Sequence, residues 1–250
     1  MRKITVVIPT YNEAENISKL IPMLFDLPLE TLNVLIVDDN SADGTGEIAD
    51  ELSRKWKGRL SVMHRAGKQG LGTAYIQGFG KAIAEGADAV GEMDADFSHP
   101  PEKLVEMFKA LEGHDAVIGS RYVAGGSLDE NWPLWRKGLS SFGNWYARTI
   151  LGLKVRDVTG GFRLYRKDTI QNMPLERIRS NGYVFQVEMT YVATRLGYRF
   201  KEIPIHFADR RWGDSKMSFR IQIEAALRVW KLRWLYRDLI RIKGLQSKSA

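Results

Sequence analysis

Apolar residues along this chain fall into two alternating rhythms. Short, continuous, β-branched runs at residues 3–9, 32–37, 60–64, 89–93 and 116–119 have the pattern of strands buried on both faces of a parallel sheet. Between them, segments at 12–26, 45–57, 73–85 and 101–111 repeat their apolar positions with the 3.6-residue period of helices. Asn12 with Glu15 three positions later reads as a capping box opening the first of these. This order predicts an α/β fold with a doubly wound, mostly parallel central sheet.

Beyond Ser120 the rhythm changes. RYVAGGSLDENWP is rich in turn residues, helices are expected near 136–151 and 185–196 with a loop around Gly160 and Gly161 between them, and residues 199–207 alternate like a strand. A polar turn, DRRWGDSK, then precedes a basic C-terminal segment. With no internal repeat, linker or low-complexity stretch, the expected organisation is one main domain over 1–216 and an amphipathic helical tail over 217–250.

Composition narrows the classes. A chain of 250 residues, 44% hydrophobic and 27% charged, is neither disordered nor collagen-like, and it can bury roughly 70–75% of its unfolded surface. The absence of cysteine excludes disulfide scaffolds, thiolate metal sites, iron–sulfur clusters and cysteine nucleophiles. The net charge of +7 is unevenly placed: residues 217–250 hold eight Lys and Arg (Arg220, Arg228, Lys231, Arg233, Arg237, Arg241, Lys243, Lys248) against Glu224 and Asp238, a net of +6 that leaves +1 for residues 1–216. A DNA-binding domain spreads its basic stripe over its body. A near-neutral body with a basic tail points instead to an anionic surface met by the tail, with no nucleic-acid partner. No apolar stretch reaches the ~18–20 residues of a membrane span, and MRKITVVIPTYNE turns polar too early for a signal peptide, so a cytoplasmic protein is expected.

Ligands of open parallel sheets bind beyond the carboxyl ends of the strands. Here those ends read Pro9-Thr10-Tyr11-Asn12-Glu13, Asp38-Asp39-Asn40-Ser41, Asp94-Ala95-Asp96 and Ser120-Arg121. So many carboxylates on one rim call for a cation. Asp94 and Asp96 straddle one residue as the chain leaves the sheet and can aim hard oxygens at Mg²⁺ or Mn²⁺, whose remaining ligands would be phosphate and water. Taken alone, an Asp-x-Asp more often caps a turn and a helix; Asp39 and Arg121 on the same rim favour the metal. Arg121, Arg136, Arg210, Arg211 and Lys216 form a cationic group suited to phosphate oxygens. The chain has no G-x-G-x-x-G, no P-loop and no G-x-S-x-G. GKQGLG is a flexible loop from which Lys68 could reach a diphosphate, and the four histidines lack ligand spacing.

Together VVIPTYNEAENI, IVDDNSADGT, MDADFSHPP, IGSRYVAGG, NWPLWRKGLSS, VTGGFRLYRKD and DRRWGDSKM resemble, in order and over about residues 3–217, the family-2 glycosyltransferases of GT-A fold. Within that family the similarity is greatest to the dolichol-phosphate (polyprenol-phosphate) mannose synthases. The resemblance implies a GT-A, Rossmann-like nucleotide-sugar-binding domain that moves mannose from GDP-mannose to a polyprenyl phosphate with inversion. It places Pro9, Tyr11, Glu13, Val37 and Asp39 around base and ribose, and Asp94, Ala95 and Asp96 on the donor diphosphate and metal. Where the family often carries a metal-shell Gln two positions after the second Asp, this chain has Ser98, the implied third ligand. Arg210 and Lys216 map to the donor side; Arg121, Arg136 and Ser140 map to the acceptor phosphate, with Asp96, Arg121 and Arg136 the implied catalytic group. A UDP-sugar donor (glucose or N-acetylglucosamine) and an inactive nucleotide-sugar-binding subunit are the competing readings.

In the tail, Phe219, Ile223, Ala226, Leu227, Trp230 and Trp234 share one helical face, and the stripe then shifts to Leu232, Leu235, Tyr236, Leu239 and Ile242. Two amphipathic helices, or one broken near Lys231, fit that shift. Such helices suit a lipid interface, so peripheral attachment to the cytoplasmic face of a membrane is expected; the alternative packs the first helix on the catalytic domain and gives the second to a membrane-anchoring partner subunit.

Overall fold

The computed structural model describes residues 3–209 and 219–239. Its first half follows the predicted alternation: β1 (Ile4–Thr10), α1 (Ala14–Phe25), β2 (Leu32–Asp38), α2 (Thr45–Lys55), β3 (Leu60–His64), α3 (Leu71–Ala84), β4 (Ala89–Glu92), α4 (Lys103–Leu111) and β5 (Ala116–Ser120). There follow β6 (Ser127–Leu128), α5 (Leu134–Leu151), β7 (Arg163–Arg166), α6 (Lys167–Gln171), a 3₁₀ turn (Leu175–Arg177), α7 (Tyr183–Leu196), β8 (Phe200–Pro204), β9 (His206–Phe207) and α8 (Phe219–Leu235).

Seven strands form one sheet in the order β3-β2-β1-β4-β7-β5-β8, and β6 pairs with β9 apart from it. All neighbours in the large sheet are parallel except β7, which runs antiparallel between β4 and β5. Side chains alternate across the sheet and fill two cores. Ile4, Val6, Ile8, Val34 and Ile36 meet α1, α2 and α4; Val7, Leu35, Val37 and Val90 meet α3, α5, α7 and α8. Helix α3 lies close on the sheet at Gly78, where an added Cβ would stand 2.5 Å from Val7 Cγ1.

Three local expectations are corrected. The Asn12/Glu15 capping box does not form: Glu13 takes the N-cap position of α1, while Asn12, at φ 59°, turns its Oδ1 to accept the Ala42 N–H at 3.1 Å. The residues after Gly161 form β7 rather than remaining loop. Helix α8 is continuous through Lys231 and ends at Leu235, because Val229, Leu232 and Tyr236 are held in the core against α5 and α7. The expected boundary at 216/217 lies outside the described residues.

Candidate active site

The chain must reverse sharply where strands leave the sheet, and three non-glycine residues take left-handed backbone conformations there: Asn12 after β1, Asn40 after β2 and Phe97 after β4. Asp38 ties the first two exits together, accepting from Thr10 Oγ1 at 2.9 Å, Ser41 Oγ at 2.6 Å and the Ser41 N–H at 3.0 Å. That leaves Asp39 as the carboxylate beside the cleft. It is buried and ion-paired with Arg65 Nη1 at 2.9 Å. Burial pushes the Asp39 carboxyl up from the usual range, with Arg65 opposing. Arg65 in turn donates to Thr73 Oγ1 at 2.7 Å and Gln69 Oε1 at 3.2 Å, locking the loop from β3 to α3. From that loop Lys68 places its Nζ 4.3 Å from the centroid of the exposed Tyr11 ring. Pro9 pairs in register with Val37. The Val37 side chain is buried in the core, because its position in β2 faces α3; Glu13, at the N-cap of α1, accepts from Asn16 Nδ2 at 2.5 Å.

At the β4 exit, Asp94 and Asp96 are held by different partners. Tyr75, fully buried on α3, donates its hydroxyl to Asp94 Oδ1 at 3.3 Å, and the Asp94 N–H donates to His99 Nδ1 at 3.0 Å. His99 stacks on Phe162 at 5.1 Å, and burial lowers its pKa; with Nδ1 accepting from the Asp94 N–H, it is a hydrogen-bonded core histidine. Ser98 was the implied third metal ligand. It is buried and directs both its hydroxyl (2.6 Å) and its N–H (3.1 Å) to Asp96 Oδ1, so its observed contacts orient Asp96. The Ala95 methyl is buried in the core. Among the described residues no group of three or more His, Asp or Glu forms a metal cage. Two hard carboxylates at one strand exit still fit a Mg²⁺ or Mn²⁺ ion that shares its shell with phosphate and water. Below them Glu92 is fully buried beside Arg163; burial pushes its pKa to about 7, with Arg163 pulling down. Arg163 donates to the carbonyls of Gly160 (2.7 Å) and Val158 (2.9 Å), pinning the 157–161 loop beneath the site.

Arg121, read as a phosphate holder, is buried with Nε and Nη2 each 2.7 Å from the Asp157 carboxylate, and Nη2 also donates to Thr159 Oγ1 at 2.7 Å. The observed work of Arg121 is to fasten the 157–161 loop to the end of β5. Arg136 opens α5 partly exposed, its guanidinium 3.6 Å from the Trp132 ring centroid and 3.2 Å from Asp209 Oδ1. One turn later on the same face, Ser140 hydrogen-bonds with Tyr122 OH at 2.7 Å. Arg210, Arg211 and Lys216 lie outside the described residues.

Sequence reasoning passed over Arg65, Tyr75, Tyr122 and Asp157. Arg65 stands directly after β3, so the strand-exit rule applied to that strand also would have found it; Asp157, a carboxylate three residues before Gly160-Gly161 in a tight loop, carried a weaker signal.

A mostly parallel sheet with a carboxylate pair at the exit of β4 and a buried carboxylate at the exit of β2, on the far side of β1, has the layout of a GT-A-fold transferase. The chain belongs to glycosyl transferase family 2, whose family model matches residues 5–173. It is 46% identical over 236 residues to an undecaprenyl-phosphate mannosyltransferase of Micrococcus luteus, covering 93% of this chain and 96% of that one. To a polyprenol monophosphomannose synthase of Mycolicibacterium smegmatis it is 42% identical over 231 residues, covering 91% and 86%. In fold it is similar to the glucosyl-3-phosphoglycerate synthase of Mycobacterium tuberculosis solved with Mn²⁺, UDP and phosphoglyceric acid (TM-score 0.64, 19% identity, 97% of this chain and 81% of that one). It is also similar to the mannosyltransferase PcManGT of Pyrobaculum calidifontis in complex with GDP-Man and Mn²⁺ (TM-score 0.60, 16% identity, 94% and 70%).

Proposed function

We propose that this protein transfers mannose from GDP-mannose to a polyprenyl monophosphate, with inversion at the anomeric carbon. The observation that carries this reading is the 42–46% identity, over nearly the full length of both chains, to relatives named for mannosyl transfer to polyprenyl phosphates. The geometry supports it. Asp39, Tyr11 and Lys68 frame the nucleoside; Asp94 and Asp96 would hold a divalent cation, which when bound would supply positive charge against the donor diphosphate. Arg136 and Ser140, on one face of α5, hold the acceptor phosphate. A phosphate oxygen forms the new bond to the anomeric carbon as the bond from that carbon to the diphosphate oxygen breaks, its electron pair leaving with GDP. The acceptor phosphate is already anionic near neutral pH, so positioning and charge do most of the work and no strong base is required. Arg210 and Lys216 are assigned to the donor diphosphate by resemblance.

A lipid-borne acceptor calls for a membrane-facing surface. Helices α5 and α8 pack side by side and turn aromatic residues outward: Trp135, Phe142 and Trp145 from α5, Trp230 and Trp234 from α8. They form a continuous face, because Trp230 Nε1 donates to Tyr146 OH at 3.0 Å and that hydroxyl donates to the Ala226 carbonyl at 3.2 Å. Arg228, Lys231 and Arg233 on the same helix, with Arg237 just past its end, suit anionic headgroups, each contributing roughly 1 kcal/mol near such a surface. No helix of the described residues is long and apolar enough to cross a membrane. On the strength of the aromatic and basic face, we propose that the protein works as a peripheral enzyme at the cytoplasmic surface of a membrane.

The test incubates purified protein with GDP-mannose, UDP-glucose or UDP-N-acetylglucosamine, a short polyprenyl phosphate, and Mg²⁺ or Mn²⁺. Nucleotide release from GDP-mannose alone, abolished by Asp96→Ala and by chelation, is expected. Release from a UDP-sugar alone overturns the donor assignment.

A further inference from the structure

Glu188, in the middle of α7, is buried, and both its oxygens are used. Oε2 accepts the Ser180 N–H at 2.9 Å; Oε1 accepts the hydroxyl of Tyr236, just past the end of α8, at 2.7 Å. Tyr236 is fully buried and its hydroxyl also reaches the Arg177 carbonyl at 3.1 Å. Arg177 turns back to grip Asp238 at 2.8 and 3.0 Å. The C-terminal segment is thus bolted to the stretch 177–182 from two sides.

That stretch backs the glycine-rich loop. A Cβ on Gly72 would lie 2.7 Å from the Ser180 carbonyl oxygen, and one on Gly70, at φ +99°, would lie 2.6 Å from Asn181 Oδ1, so the two segments touch with no slack. The other side of the glycine-rich loop faces the nucleoside wall. Arg65 pairs with Asp39, the Gln69 N–H donates to Asp39, and Lys68 covers Tyr11. A continuous series of contacts therefore runs from the helix that carries Trp230 and Trp234 to the pocket for the donor.

We propose that Tyr236 and Glu188 are positioning residues for the donor pocket: through Ser180 and Asn181 they hold the loop 65–72 in the conformation that seats the nucleotide. The inference rests on the reading that the Asp39 and Tyr11 wall receives the donor, but its principal test does not depend on which nucleotide binds. Removing the Tyr236 hydroxyl leaves a buried carboxylate oxygen of Glu188 without its donor, and segment 178–182 must rearrange to satisfy it. The loop packed against that segment then loses its support.

Amide hydrogen exchange on the full chain, with and without GDP and Mn²⁺, reads this directly. In Tyr236→Phe, exchange in residues 65–72 is expected to quicken about fivefold or more, the worth of one buried hydrogen bond. The apparent affinity for GDP with Mn²⁺ should weaken to a similar degree, with KM for the donor raised and kcat and the acceptor KM unchanged. Asn181→Ala, at an exposed residue that meets Gly70, should loosen the same loop without opening the core and serves if Tyr236→Phe fails to fold. A folded variant whose 65–72 exchange equals that of the wild type overturns the proposal. Loosening of the loop in both variants while only UDP binds supports the positioning role and rejects the donor assignment instead.

Discussion

The fate of Arg121 turns on a single buried carboxylate. Burial alone raises the pKa of Asp157, but the Arg121 ion pair and the hydrogen bonds from its guanidinium and N–H outweigh that, and the carboxyl is held below its ordinary range. A carboxyl whose folded pKa lies below its unfolded one adds stability above the unfolded value and loses it as pH falls. Asp157→Asn is therefore expected to cost about 3–5 kcal/mol at pH 7, since it strands a buried guanidinium. The gap from wild type should begin to close only as pH falls below about 4, the ordinary carboxyl value, and narrow further towards the lower pKa that Asp157 has in the folded protein; urea unfolding from pH 7 down to 3 measures it, and a gap that does not narrow below pH 4 would place the pair outside the stability of the fold. This residue scale is where sequence reading reached least far. That Asp94, Asp96 and Asp39 stand where strands leave the sheet was legible, because the apolar runs mark the strand ends. What Val37, Ser98 and Arg121 do was not, since chain position leaves open which way a side chain turns and which partner reaches it first.

At the scale of elements, the parallel strands and their helices were legible because both faces are buried and the apolar runs are unbroken. Strand β7 escaped because RLYR is four residues long and half cationic, and only the buried partners of Arg163 explain a charge inside the sheet. Helix α8 misled for the opposite reason, being apolar on two faces. Val229, Leu232 and Tyr236 recur at i, i+3 and i+7, and so do Leu227, Trp230 and Trp234 on the opposite side; periodicity alone does not say which stripe meets the core. The structure buries the first set and leaves Trp230 55% and Trp234 67% exposed. The two stripes should therefore answer differently to truncation. Leu232→Ala is expected to destabilise the fold by about 2–5 kcal/mol. Trp230→Ser with Trp234→Ser should leave the melting temperature near the wild-type value while reducing partition onto anionic vesicles about tenfold or more; co-sedimentation beside thermal unfolding separates the two effects, and a large fall in melting temperature for the tryptophan pair would assign that stripe to the core.

For the whole molecule, the arrangement that matters is the relation between the aromatic face and the catalytic rim. Helix α5 has 18 residues, about 27 Å at the usual rise, and belongs to both. Its first turns carry Arg136 and Ser140, while Trp135, Phe142 and Trp145 point outward along its length. A membrane lying against α5 and α8 would therefore bring a lipid-borne phosphate to the start of α5, with its chain still in the bilayer. The charge is divided to match, +6 of the total +7 lying in residues 217–250. Attachment should thus have an electrostatic part that salt screens and an apolar part that it does not. Binding to vesicles containing anionic lipid is expected to fall steeply between about 50 and 300 mM salt towards a lower plateau, and binding to neutral vesicles should begin near that plateau. The tryptophan double variant should lose the plateau and keep the salt slope. Its turnover should fall with a long-chain acceptor embedded in vesicles and stay unchanged with a short, water-dispersed one, because its effect lies in delivery of the acceptor. Equal loss with both acceptors would place those tryptophans in the catalytic step and remove the membrane from the account.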